Sequence, residues 1–495
     1  MATSAAAGTF RRVWADPEGE QVRGLFEDRQ SHYRYLWHWY KSSIYEDLAT
    51  WAAYRNNYRL YRWTRPIYNP ARRIVDFYAG ILYPGTLTTD GRPLPDGTLP
   101  AIPLAEDTPP ELVAALGQLW QWNNWQTLKG QIGRYGACLG DVGIEIVDDV
   151  AAGKIRHNVI WPGLIRDLDL DMAGNVQAYR LEYDFDEDGK TYTYAKEVER
   201  GEIRTYRDDK PHGYEGNPEA YANPYGFVPF VWIRHADLGG DHGDPALRNL
   251  NKWDELNSMA AHVHDHAHQV LAMPVLVSGD GVAALGSTQS KAGPTADLSE
   301  SASGQEGIKL LKSGPGGDMK TVLLPEGEVQ AHMERLMGEI ERDHPELGMW
   351  QQLREMTQVT GPGAERMFGD VATYVQDARA NYDQQLVKLF QMSAAIGGWR
   401  ISTGAWGRSL TRQQAVFAPF DLASYAAGDL DFEILPRPLV AQTPMERITE
   451  ERQRLGLERD KAAGAANVLD RQIPTGIAQR LAAQGTQNEP EKGKT

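Results

Sequence analysis

The chain has 495 residues, 41% of them hydrophobic and 24% charged, an ordinary balance for a folded protein and enough for two to four domains or one large elongated subunit. Its formal net charge of -16 argues against tight DNA binding over the whole surface, which needs concentrated basic charge. A single cysteine, Cys138, excludes an intrachain disulfide and fits a reducing compartment. The opening residues MATSAAAGTFRRVW lack the apolar core of a signal peptide, and no run of about 18 apolar residues points to a membrane span.

Residues 1–34 are polar and mixed. Residues 35–63 are dense in aromatics from Tyr35 to Trp63, interleaved with Arg55, Arg59 and Arg62. That pattern suits a nucleic-acid stacking surface or, more simply, an aromatic helical layer whose arginines solvate its edge. Residues 70–82 carry Ile74, Phe77, Tyr78 and Ile81 behind Pro70 and predict a short amphipathic helix. Seven prolines between Pro84 and Pro110 mark an irregular linker. Glu111 to Gly136 reads helical. From 137 to 235 the period shifts towards two, and GIEIVDD, IRHNVIW, VQAYRLEYDF, TYTYAKEV and EIRTYRD read as strands. Ala173-Gly174-Asn175 and Asp188-Gly189-Lys190 are hairpin signals between them.

Residues 245–273 form the first long helical stripe, from Leu247 through Trp253 to Val270, ended by Pro274. Short strands are expected in 275–324 around a Gly/Ser/Pro-rich stretch, and a second helix over 325–343. LREMTQVTGPG at 353–363 breaks the pattern. Ala364 to Ala395 is then helical, with Gly397-Gly398 expected to end it. Residues 430–436 read as a strand, 444–463 as a charged helix, and Ala483 to Thr495 as a disordered tail.

Chemical motifs mostly fail. Gly189-Lys190-Thr191 lacks the first glycine of a phosphate loop, since Asp184 stands there, and Gly493-Lys494-Thr495 has no helix after it. Asp167, Asp169 and Asp171 would share one face of a strand, as metal-binding acids do, although a solvated strand face gives the same pattern. Asp184, Asp186 and Asp188 have calcium-loop spacing without the terminal glutamate, because Ala195 occupies that position. They read as an acidic hairpin tip. His262, His264, His266 and His268 form two pairs at metal-ligand spacing on a helix, with no obvious third ligand. A polar helix side, exposed or packed on a neighbouring subunit, accounts for them without zinc. Cys138 has no nearby base and reads as a small buried residue.

The order of elements carries more than any motif. YNPARRIVDFYAGILYPG (68–85), IGRYGACLGDVGIEI (132–146), NPYGFVPFVWIRH (223–235) with LRNLNKWDELNSMAAHV (247–263), and DLDFEILPRPLVAQTPMERI (429–448) together resemble the bacteriophage portal protein family, in its long-tailed-phage branch. The resemblance implies an α+β, portal-like fold. It implies a mixed wing (1–240), a stem helix (241–273), a small α/β clip (274–324) and a second stem helix (325–345). A tunnel loop with a long wing helix (346–400), a helical crown (401–480) and a disordered tail (481–495) complete it. It also implies a ring, usually of twelve subunits, at one capsid vertex. Such a ring passes double-stranded DNA non-specifically during packaging and ejection, and docks the terminase, the head-completion adaptor, the scaffold and the major capsid protein. It requires no catalytic residue, metal or cofactor, and it places the chain in the virion and, during assembly, in the host cytoplasm. In the family the segment before the longest helix lines the narrowest part of the channel. Here that segment supplies Thr357, Gln358, Val359, Thr360, Gly361, Pro362 and Gly363, uncharged residues suited to sliding contact. The competing expectations are another capsid ring protein, such as an adaptor, or a metal-dependent nucleic-acid enzyme built on Asp167 to Asp171.

Overall fold

A computed structural model of the chain describes residues 29–44, 68–87, 100–214, 217–271, 326–349, 369–407 and 409–437. The fold is α+β. The first helix, α1 (Arg29–Lys41), buries Tyr33, Leu36 and Trp39, a spacing of three that puts them on one side. Asn69 ties it to the next helix, donating to the Trp39 carbonyl and accepting from the Ala71 amide. That helix, α2 (Ala71–Leu82), stands where the sequence places it and buries Ile74, Val75, Phe77, Tyr78 and Ile81.

The helix expected over 111–136 is two helices, α3 (Pro110–Trp122) and α4 (Trp125–Leu139). Asn124 between them adopts a left-handed backbone with φ 47°, which asparagine tolerates better than most residues. Asn123 is drawn sideways to the sheet. Its amide donates to the carbonyls of Leu119 and Ile155 and accepts from the His157 amide. Tertiary hydrogen bonds therefore override helical continuity at this point.

Two antiparallel sheets follow. In the first, β1 (Asp141–Asp149) lies between β2 (Lys154–Ile160) and β9 (Phe230–Arg234). The second runs β3 (Ile165–Leu170), β4 (Val176–Glu187), β5 (Lys190–Glu199), β6 (Glu202–Arg207) and β7 (Lys210–Pro211), with β8 (Ala220–Ala222) also paired to β6. Both hairpin signals fall at turns, with Gly174 at φ 75° and Gly189 at φ 73° supplying backbone that favours glycine. The first six residues of β1 are all buried, because helices cover one side of the first sheet and the second sheet covers the other. Tyr179 of β4 stacks on Phe230 of β9 at 4.3 Å between ring centroids, joining the sheets. The Tyr179 hydroxyl donates to Glu145, which also accepts from the Lys196 ammonium at 2.6 Å.

A long helix, α5 (Leu250–Leu271), begins five residues after the expected start at 245, since Asn249 at φ 52° interrupts the backbone and Ala246 is bonded to the Ala137 carbonyl. It packs on α6 (Glu326–Asp343). The 34-residue α7 (Gly369–Ser402), roughly 50 Å long, crosses the first sheet and contributes Tyr382, Leu386, Leu389, Phe390 and Ile396 to the largest core cluster. Gly397 and Gly398 do not end it. They sit inside the helix because the chain returning through Phe417 and Phe420 presses on them. A Cβ at Gly398 would lie 1.7 Å from the Phe420 carbonyl oxygen, and one at Gly397 2.8 Å from the Phe417 ring.

Two short helices, α8 (Arg412–Ala415) and α9 (Leu422–Ala427), follow, the first opened by a Thr411–Gln414 capping box. Residues 430–436 are not a strand. They make one isolated bridge, Ile434 to Leu104, while Leu430 and Ile434 bury against the core. The expected clip, the loop at 353–363, the charged helix at 444–463, the tail and the aromatics from Tyr45 to Trp63 lie outside the described residues.

Candidate functional site

The helices α5 and α6 form an arm. The beginning of α5 lies against the end of α6: Lys252 pairs with Asp343 at 2.7 Å and Glu339 at 3.6 Å, and Asn249 donates to Asp343 at 2.9 Å. The two helices therefore run antiparallel, and residues 272–325 join their far ends. The hydrogen bond to Asp343 holds the Lys252 ammonium above its ordinary range. Burial alone would raise the Asp343 carboxyl, but the hydrogen bonds from Lys252 and Asn249 outweigh it and hold the group below 3.8.

The base of the arm is fixed to the body by buried contacts. Trp253 is fully buried, and Leu256 and Ala261 join it in a cluster with Trp39, Ile74 and Val375. His344, just past α6, is buried beside Glu346, with Nδ1 3.0 Å from the carboxylate and Nε2 3.1 Å from the Arg248 carbonyl. Each ring nitrogen thus faces an acceptor. Arg248 in turn lies over the Tyr374 ring of α7 at 4.5 Å. On this helix pair Val263 and Met337 are exposed at 37% and 38%, apolar side chains with open surface.

Leu347 and Met349, before residue 350, and Val371 and Val375, after residue 368, are buried, and all four belong to the cluster that holds Trp253. The described residues on either side of 350–368 thus share one core cluster, the later ones in the first turns of α7. The sequence-based site residues Thr357, Gln358, Val359, Thr360, Gly361, Pro362 and Gly363 are in this segment, outside the described residues. His262, His264, His266 and His268 fall in the last turns of α5.

The acidic candidates do not converge. Asp167 and Asp169 sit on β3, Asp167 exposed, but a register shift turns Leu170 inward and ends the strand. Asp171 lies beyond it, so the three carboxylates do not share a face. Its carboxylate accepts from the Ala173 and Asn175 amides and from the Asn175 and Gln177 side chains. Asp184 and Asp186 accept from the hydroxyls of Thr193 and Thr191, an exposed hairpin end. Among the described residues no group of three His, Cys, Asp or Glu is placed to hold a metal ion. Cys138 is buried against the Leu36 carbonyl, and burial pushes its thiol well up, which makes it unreactive.

The sequence reading missed the buried polar ties that set this geometry. Asp141, with no exposed surface, accepts from Arg29, Tyr33 and the Gly243 amide, locking α1 to β1. His157 accepts from the Trp125 indole and donates to Ser393 of α7. Asp148 of β1 is paired with Arg400 near the end of α7. Their only sequence signal was an isolated charge or histidine in an otherwise apolar run. No helix among the described residues is long and apolar enough to cross a membrane. No family model matches the chain, and no curated protein matches it.

Proposed function

We propose that the chain is a portal subunit, one of a ring of about twelve that forms a DNA channel at a capsid vertex, with no catalytic chemistry of its own. The observation that carries the reading is the antiparallel pair α5 and α6, seated by Trp253 and Ile340 on one core cluster that also holds Val371 and Val375 of the 34-residue helix. In this reading α5 and α6 are the stem, 274–324 the clip that docks terminase and head-completion adaptor, and 353–363 the loop facing DNA. Scaffold and major capsid protein are the further partners. Exposed Val263 and Met337 on the arm suit packing against neighbouring subunits in a closed ring. The net charge of -16 per subunit favours a passage that DNA does not adhere to.

Electron microscopy of the purified protein tests the reading. Rings with a central hole, formed without nucleotide, are expected. A strictly monomeric protein at micromolar concentration in several salt conditions, with no rings on co-expression with capsid proteins, would overturn it.

A further inference from the structure

A cavity of about 700 Å3 opens where α7 passes the β3–β4 turn, the 225–229 loop, the start of β9 and α9. Its chemistry is unusual for a packing gap. Lys388 of α7 is half-buried in its wall and donates to Asn175 Oδ1 at 2.6 Å, but no carboxylate lies within ion-pair distance of it among the described residues. The nearest acid on the wall, Asp171, is already satisfied by four donors. Arg200, also on the wall, spends its Nε on the Gly226 carbonyl and likewise has no carboxylate partner among the described residues. Gln385, one turn before Lys388 and only 7% exposed, lines the cavity without a side-chain hydrogen bond to the protein among the described residues.

A buried cation is stabilised by a counter-ion or by water. Here burial lowers the Lys388 amine from its ordinary value, Asp171 opposes that shift, and Arg234 adds to it. The Gln385 amide, lining the cavity, offers a further donor and acceptor to a ligand. Part of the remaining wall is aromatic: Tyr225 stacks on Phe227, and Phe227 meets Tyr425 of α9 at 4.9 Å. The volume lies within the range of sites for small organic molecules.

We propose that this cavity binds a small organic anion, its phosphate or carboxylate head held by Lys388 and Gln385 and its ring or apolar body against Tyr225, Phe227 and Tyr425. The site goes beyond the portal reading and does not depend on ring formation.

Calorimetric titration of the full chain with phenyl phosphate, benzoate and inorganic phosphate, at constant ionic strength, tests it. One ring-bearing anion is expected to bind at least about tenfold more tightly than inorganic phosphate, and benzyl alcohol not measurably. The better of phenyl phosphate and benzoate identifies the head group. Lys388→Met is expected to weaken that binding by about tenfold or more, and Gln385→Leu by several-fold, while Lys388→Arg retains it. As a check that needs no substitution, the bound anion is expected to slow acylation of Lys388 by an amine-reactive reagent and leave exposed Lys190 unaffected. Absence of binding by either ring-bearing anion at about 10 mM, equal affinity for inorganic phosphate, unchanged affinity in Lys388→Met, or unprotected Lys388 would each overturn the proposal.

Discussion

Trp39 of α1 and Trp253 of α5 meet edge to face, ring centroids 5.5 Å apart and planes at 83°, both rings fully buried. Residues more than two hundred positions apart thus share the contact that seats the arm on the body. Trp253→Ala is expected to destabilise the fold by about 3–5 kcal/mol, the cost of a large buried aromatic and its cavity. Trp253→Phe, which keeps an aromatic ring in the site, is expected to lose clearly less. Urea unfolding followed by circular dichroism measures both. A loss in Trp253→Ala under about 1 kcal/mol would mean that the arm is not anchored there.

Gly398→Ala separates intrinsic propensity from packing. In a free helix the change stabilises by about 1 kcal/mol. In α7 the added methyl collides with the Phe420 carbonyl, and overpacking of this kind costs about 1–3 kcal/mol. Net destabilisation is expected in chemical unfolding, and a more stable variant would contradict the close approach.

Acid should weaken the fold well above the carboxylate range. Burial disfavours the charged imidazole at His157 and at His235 and lowers both from 6.5 to about 3. The unfolded chain protonates these rings below pH 6.5 while the folded chain leaves them neutral. Stability therefore falls as pH drops from about 6.5 towards 3, by about 2 kcal/mol per ring at pH 5. Urea midpoints at pH 7.5 and pH 5 check this, with His157→Gln reducing the difference. An identical pH dependence in that variant would remove His157 from the account.

The segment 353–363 ahead of α7 yields a functional prediction that rests on the portal reading. Replacing Val359 and Thr360 with bulky or acidic residues is expected to leave rings intact and to reduce packaged DNA. Normal packaging and retention in such particles would take this segment out of the mechanism.

Local patterns were the legible part of this fold. VQAYRLEYDF and TYTYAKEV alternate as strands do, and they pair as β4 and β5 across the turn at Gly189, while the signal at Gly174 falls at the turn into β4. The stripe on α2 and the two arm helices were legible for the same reason, since each buries one face. What failed was information carried by distant partners. Gly397-Gly398 looks like a stop signal in isolation, and only the returning Phe417 and Phe420 make it a packing seat. Asn123 looks helical until β2 claims its amide. The cavity at Lys388 draws its wall from segments spread between Asp171 and Ala426, so no linear pattern marks it.

The position of α7 also bears on synthesis. Leu386, Leu389, Phe390 and Ile396 of α7 complete the core cluster that α3, α4, β1 and β9 share. A ribosome adding about 5–20 residues per second makes the N-terminal body long before it makes the helix that covers it. During that interval the part of this core that α7 covers lacks its partner. Folding is therefore tied to late, sequence-distant contacts, the slow class of topology. Chains truncated before residue 369 should emerge as aggregates or remain bound to chaperones.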